Sequence, residues 1–199
     1  MEQTVTTNTA NHQDFKDIVY PLSQVLAPVR ADLNHLEKEL YKNIPTCSKT
    51  ASKILNHILS SGGKRIRPAA YFLASKLFNS KNKYYMSMAV ATEFVHTASL
   101  LHDDVIDRSS LRRNKPTAHC IWGDESAILV GDLIYARASE LMAETQKFQI
   151  VKDYSAAIRA MSEGELLQLE HVLNIDLPIE TYIEIISAKT GTLLAASFQ

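Results

Sequence analysis

Leu101-His102-Asp103-Asp104-Val105-Ile106-Asp107 gathers three carboxylates within five positions, and Arg112-Arg113 follows five residues later. On a helix, Asp103 and Asp107 stand one turn apart on a single face, with Asp104 beside them. Like charges so placed destabilise the helix unless a cation neutralises them. Mg²⁺ suits the task, since it takes one or two carboxylates, keeps waters and completes its shell with substrate phosphates. The two guanidinium groups add planar forks that match phosphate oxygens. Acidic triplets are common on solvated helix faces. Here, however, the preceding stretch from Met86 to Leu101 is almost uncharged and reads as a buried helix, so the carboxylates cap an apolar element.

A second charged group is Gly62-Gly63-Lys64-Arg65-Ile66-Arg67-Pro68. Three cations follow a flexible glycine pair at a helix N-terminus, where backbone donors and the helix dipole also favour an anion. The GxxxxGK[ST] spacing of a nucleotide P-loop is missing, and so is the strand that precedes one. His96 continues the stripe of Asp103 and Leu100 about two turns below the carboxylates. A lone histidine on an apolar helix is ordinarily a satisfied core residue, but two basic clusters and an acidic one give this one a context.

The elements that position these groups read as helices. Six Gly and six Pro interrupt long stretches of helical periodicity with little strand-like alternation, so the fold class is all-α. Helices are expected over about Ala27–Tyr41, Ser48–Leu59, Pro68–Phe78, Lys83–Asp107, Glu125–Thr145 and Gln149–Leu173, with a seventh opening at Asp176-Leu177-Pro178. Gly62-Gly63 permits the left-handed turn that closes the second, and Asp124 is the expected cap of the fifth. Ser109–Trp122 is a polar, basic connector. Residues 1–13 read as a disordered tail and 14–199 as one helical domain. Leu193-Leu194-Ala195-Ala196-Ser197-Phe198 is an uncapped apolar pattern that looks cut short.

Composition excludes several classes. At 46% hydrophobic and 22% charged, the chain is an ordinary soluble globular protein. A net charge of −1 provides no global field for nucleic acid. No run approaches the roughly 18 to 20 apolar residues that span a bilayer. The N-terminus lacks the features of a secretory or mitochondrial signal. Cys47 and Cys120, far apart and without a CxxC, fit buried, reduced thiols in a cytoplasmic protein.

With these motifs in hand, Gly62-Gly63-Lys64-Arg65-Ile66-Arg67-Pro68, Glu93 through Asp107 and Arg112-Arg113-Asn114-Lys115-Pro116-Thr117 resemble the trans-isoprenyl diphosphate synthases; Gly164-Glu165-x-x-Gln168 and Lys189-Thr190 match as well. The resemblance implies an antiparallel helical bundle around a deep cavity, normally a homodimer. It implies head-to-tail condensation of isopentenyl diphosphate onto an allylic diphosphate. Asp103, Asp104 and Asp107 would hold Mg²⁺ against the allylic diphosphate, with Arg112, Gln168, Lys189 and Thr190 around the same group. Lys64, Arg67, His96 and Arg113 would grip isopentenyl diphosphate.

The chemistry fits the residues independently of the resemblance. Ionising an allylic C–O bond needs preorganised positive charge on the leaving diphosphate and no protein nucleophile. Two departures stand out. Asn114 replaces the glycine usual after the arginine pair; Asn tolerates left-handed backbone. No second aspartate-rich motif follows Asp176, so the chain is expected to be an N-terminal fragment and a poor catalyst alone. Ala98 and Ser99, small residues one turn below Asp103, would leave room for a growing tail, which favours a long-chain synthase of the kind that supplies quinone side chains. A non-catalytic subunit that tunes an active synthase is the alternative. A helical metal-dependent phosphohydrolase is a further one, for which His102-Asp103 offers half a metal pair.

Overall fold

The computed structural model describes residues 20–44, 46, 48–80 and 82–198. The expected tail at residues 1–13 and the thiol of Cys47 lie outside the described residues. The architecture is all-α apart from one two-residue antiparallel pair.

The chain enters through α1 (Leu22–Val25) and a 3₁₀ turn (Ala27–Val29) before α2 (Arg30–Lys42). The single helix expected from Ala27 is interrupted at Val29, whose φ of −114° and ψ of 7° separate the 3₁₀ turn from α2. Helix α2 buries Leu36 and Leu40, one turn apart. Helix α3 (Lys49–Ser60) starts at Ser48, whose hydroxyl accepts the Ala51 N–H at 3.2 Å, and it buries Ala51, Ile54, Leu55 and Leu59 along one stripe. Gly62 then takes a left-handed φ of +67°, as the glycine pair predicts. Helix α4 (Ile66–Leu77) follows.

Helix α5 (Tyr85–Ile106) is central, with buried residues on nearly every face from Met88 to Leu101. Helix α7 (Asp124–Glu144) packs along it, and Gly131 makes the approach possible: any Cβ there would run into the His102 ring. Helix α8 (Phe148–Glu170) ends three residues earlier than the periodicity suggests, and the chain leaves through Leu173 at φ +67°. After it come α9 (Ile179–Ile186), a π turn (Ser187–Gly191) and α10 (Thr192–Ala196). One contiguous apolar cluster joins α2 through α8 and α10, with Leu36, Phe72, Phe94, Ile134 and Leu193 fully buried or nearly so.

Between α5 and α7 the polar connector folds into a hairpin, β1 (Leu111–Arg112) and β2 (Lys115–Pro116), followed by α6 (Ala118–Trp122). Its two central residues, Arg113 and Asn114, both have positive φ, at 52° and 61°. That is the primed turn matching strand twist, and Asn is among the residues that adopt it readily. Two expectations fail in this region. Asp124 is the first residue of α7 rather than its cap; Gly123, at φ +88°, occupies the cap position. Cys120 is exposed, because it sits on the outer side of the short α6.

Candidate active site

The C-terminal turn of α5 delivers its three carboxylates to three different environments. Asp103 borders a cavity of about 460 Å³ whose wall also includes His96, Ser99, Glu165, Lys189 and Thr190. Its carboxyl is pushed up to about 6, first by burial and then by the Glu165 and Asp107 charges, which Lys189 and Arg112 only partly offset. Asp107 is exposed at the end of the helix, where its N–H donates to Asp103 O at 2.8 Å. Asp104 is buried and accepts from Arg112, with Nε at 2.9 and 3.0 Å from its two oxygens and Nη2 at 2.8 Å. Of the three aspartates expected to ligate metal, Asp104 is the one that holds Arg112 in this structure. That hydrogen bond is also the main reason the Arg112 pKa is raised.

The hairpin carrying the arginines is tied down at both ends. His57 donates to Pro116 O at 2.8 Å, and His119 donates to Ser109 O at 2.9 Å. Thr117 Oγ1 adds a 2.6 Å bond to Ser109 O. Facing Asp103, the π turn presents Lys189 and Thr190; such turns recur at functional sites because they re-aim side chains within a helical run. Lys189 pairs with Glu165 and donates to Gln168 Oε1 at 2.9 Å. Gly164 allows that approach, since a Cβ at this position would lie 2.7 Å from Ala188 Cβ.

The second pocket, of about 450 Å³, is walled by Gly63, Lys64, Arg65, Arg67, Glu93, Arg113 and His96. Lys64 and Arg113 are exposed; Arg67 is half-buried, and its Nε is buried without a hydrogen-bond partner. Gly63 is small for a reason: a Cβ there would meet Arg113 Nη1 at 3.0 Å and Arg65 Nη1 at 3.3 Å. Arg67 and His96 border both pockets, so the two adjoin. Burial, followed by the charges of Arg67, Arg113, Arg112 and Arg65, lowers the His96 pKa to about 3.

His96 is therefore expected to stay neutral and present one N–H to an anion. Its folded pKa lies below the ordinary 6.5, so between those values the unfolded chain binds a proton that the folded chain refuses. Its contribution to stability is present above about pH 6.5 and is lost as the pH falls toward about 3. Ring chemical shifts of His96 should not titrate between about pH 5 and 8. A midpoint inside that range would contradict the assignment.

Several expected residues are placed differently. Ser99 borders the larger cavity, whereas Ala98 is fully buried in the core and is absent from that wall. His102 turns to α7, with Nε2 at 3.1 Å from Ile128 O, and does not form a metal pair with Asp103. Glu165, Glu93 and Arg65 take part in the site although the sequence, which places all three in its motifs, assigns none of them a role. The signal for Glu93 was available, as it is the one carboxylate within an otherwise apolar helix before the acidic cluster.

Among the described residues, no three His, Cys, Asp or Glu side chains converge as a metal cage. The arrangement fits a hard cation that takes one or two carboxylates and draws its other ligands from water and phosphate. Asp103, left facing a cavity with its charge poorly balanced, is the observation that carries this fit. Among the described residues no helix is long and apolar enough to cross a membrane.

Residues 48–199 match the family model described as polyprenyl synthetase. The chain is 41% identical over 143 residues to an octaprenyl diphosphate synthase of Escherichia coli, covering 72% of this chain and 44% of that one. It is 36% identical over 170 residues to a geranyl-diphosphate-specific all-trans-nonaprenyl-diphosphate synthase of Rhodobacter capsulatus, covering 85% and 52%. A polyprenyl synthase from Caulobacter crescentus, solved with calcium and isoprenyl diphosphate, superimposes with a TM-score of 0.85 at 38% identity, covering 89% of this chain and 54% of that one. The chain thus spans about half the length of the curated relatives it matches. Family model, relatives and fold agree with one another, and the chain belongs to the polyprenyl synthetase family.

Proposed function

We propose that this protein condenses isopentenyl diphosphate with an allylic diphosphate, building a long-chain all-trans polyprenyl diphosphate that serves as a quinone side-chain precursor. The carrying observation is a pair of adjoining pockets that share Arg67 and His96, one bordered by Asp103, Glu165 and Lys189 and the other rich in cations. The allylic diphosphate occupies the larger one. Asp103 and Asp107 would hold Mg²⁺, which when bound would supply positive charge to the leaving diphosphate. Lys189 and Thr190 approach that group from the π turn, Gln168 holds Lys189, and Arg112 is aimed by buried Asp104. Preorganised charge of this kind acts without reorganisation when the bond breaks.

In the basic pocket Lys64, Arg67, Arg113 and neutral His96 grip the second diphosphate and hold its alkene beside the nascent carbocation. The released diphosphate is the base that takes the final proton. The long-chain reading rests on Ser99 beside the cavity and on the octaprenyl and nonaprenyl products in the names of the relatives. We extend the proposal to residues 14–199 as one domain, to a cytoplasmic location and to a homodimer. Intact Asp103, Asp107, Arg112 and Lys189 favour catalysis over a purely regulatory subunit.

The test is differential metal dependence. Calorimetry should show farnesyl diphosphate binding only with Mg²⁺, and isopentenyl diphosphate binding with or without it. In a protein of the relatives' full length, both substrates with Mg²⁺ should give extended prenyl diphosphates by chromatography. Metal-independent binding of farnesyl diphosphate, or no extension by the full-length protein with both substrates bound, would refute the reading.

A further inference from the structure

Within Lys64-Arg65-Ile66-Arg67, the middle cation is the most enclosed. Arg65 is 8% exposed, while Lys64 is exposed and Arg67 half-buried. It stands just before α4 with a left-handed φ of 47°, a backbone state that side-chain-bearing residues rarely adopt, so its packing must hold it there. All its reach is used on carboxylates. Nε and Nη2 donate to the two oxygens of Glu37 on α2 at 2.6 and 3.1 Å, and Nη1 donates to Glu93 Oε1 on α5 at 2.6 Å.

Glu93 is 5% exposed and is the one carboxylate among the residues that wall the basic pocket. Two guanidinium groups compete for it. Arg67 feels its charge, yet Arg67 Nε is buried without a hydrogen-bond partner. Were Arg65 absent, the strong outcome would be a Glu93–Arg67 pair, because a buried carboxylate and a buried guanidinium are each costly alone. A paired Arg67 could not serve an incoming anion as well.

We propose that Arg65 is a positioning residue that sequesters Glu93 and so keeps Arg67 unpaired for the diphosphate of isopentenyl diphosphate. The inference rests on the reading of the basic pocket given above. The bridge from α2 to α5 also fixes the loop, since Arg65 Nη1 and the Arg113 guanidinium both lie against Gly63. Selectivity follows from simple charge competition: the pocket keeps its cation free by giving its own carboxylate another partner.

The experiment measures binding of inorganic pyrophosphate and isopentenyl diphosphate by calorimetry, and of farnesyl diphosphate with Mg²⁺ as a control. Arg65→Gln should weaken the first two by roughly 10- to 100-fold, the worth of a charge-assisted bond, and leave the third unchanged. In turnover it should raise KM for isopentenyl diphosphate with little change in kcat. The decisive arm is Arg65→Gln/Glu93→Gln, which removes the competitor together with its keeper and should restore affinity. A merely structural role for Arg65 predicts no such rescue. Arg65→Lys, which keeps a cation on Glu93, should retain most of the affinity and covers the case in which Arg65→Gln does not fold. Wild-type affinity in folded Arg65→Gln, or a double variant as weak as the single, overturns the proposal. Failure of the unsubstituted protein to bind either anion overturns instead the reading of the pocket on which it rests.

Discussion

Asp103→Asn, placed in a protein of the relatives' full length, is expected to slow condensation by about two to four orders of magnitude, because loss of a ligand to the cation costs several kcal/mol of leaving-group stabilisation. Isopentenyl diphosphate affinity should barely change, since the basic pocket proposed for it is walled by other residues. The same substitution should not harm the metal-free fold. The Asp103 carboxyl is raised from 3.8 to about 6, so over that interval the folded chain keeps a proton that the unfolded chain has released. Stability therefore falls as pH rises through it. Asn removes that liability. At pH above about 7 and without Mg²⁺, the variant should melt at or above the temperature of the unsubstituted protein. It should also lose the rise in melting temperature that Mg²⁺ and an allylic diphosphate together confer. Near-normal turnover at saturating Mg²⁺, or an undiminished thermal shift, would remove Asp103 from the metal-binding role.

That separation of effects depends on side-chain pairing, which a motif does not specify. The helical spacing of Asp103 and Asp107 was legible, as was the apolar α5 that leads to them, because both follow from a 3.6-residue repeat. The primed hairpin turn at Arg113-Asn114 was legible in part, through the backbone tolerance of Asn. By contrast, nothing in the spacing says that Asp104 turns inward onto Arg112, or that Lys189 is shared between Glu165 and Gln168. Those are tertiary choices between competing partners. The π turn at Ser187–Gly191 escaped periodicity altogether, since one extra residue per turn leaves little trace in composition. Gly131 and Gly164 are clear only in three dimensions, where each admits a neighbouring side chain that a Cβ would block. Ala98 and Ser99 are adjacent and equally small in sequence, yet the turn of α5 between them leaves Ser99 at the cavity and Ala98 in the core.

Ser99→Phe is expected to shorten the products, and comparison with Ala98→Phe makes the effect diagnostic. Ser99 borders the larger cavity, and its hydroxyl donates to His96 O at 2.9 Å, a local bond whose loss leaves the carbonyl within the helix ladder. A phenyl ring there enters the space that a growing tail must occupy beneath the diphosphate. Carboxylates one turn above remain in place, so the first condensation should proceed at a rate comparable to that of the unsubstituted protein while later ones stop. Ala98, at 0% exposure, faces the packed core instead. A ring at that position overpacks α5 and should cost about 1 to 3 kcal/mol of stability without a matching change in product length. Thermal melts identify which variant is strained, and chromatography of the dephosphorylated products reads chain length. A long-chain distribution retained by folded, active Ser99→Phe, or a stronger shortening by Ala98→Phe at equal stability, would mean that the tail leaves the site by a different face of α5.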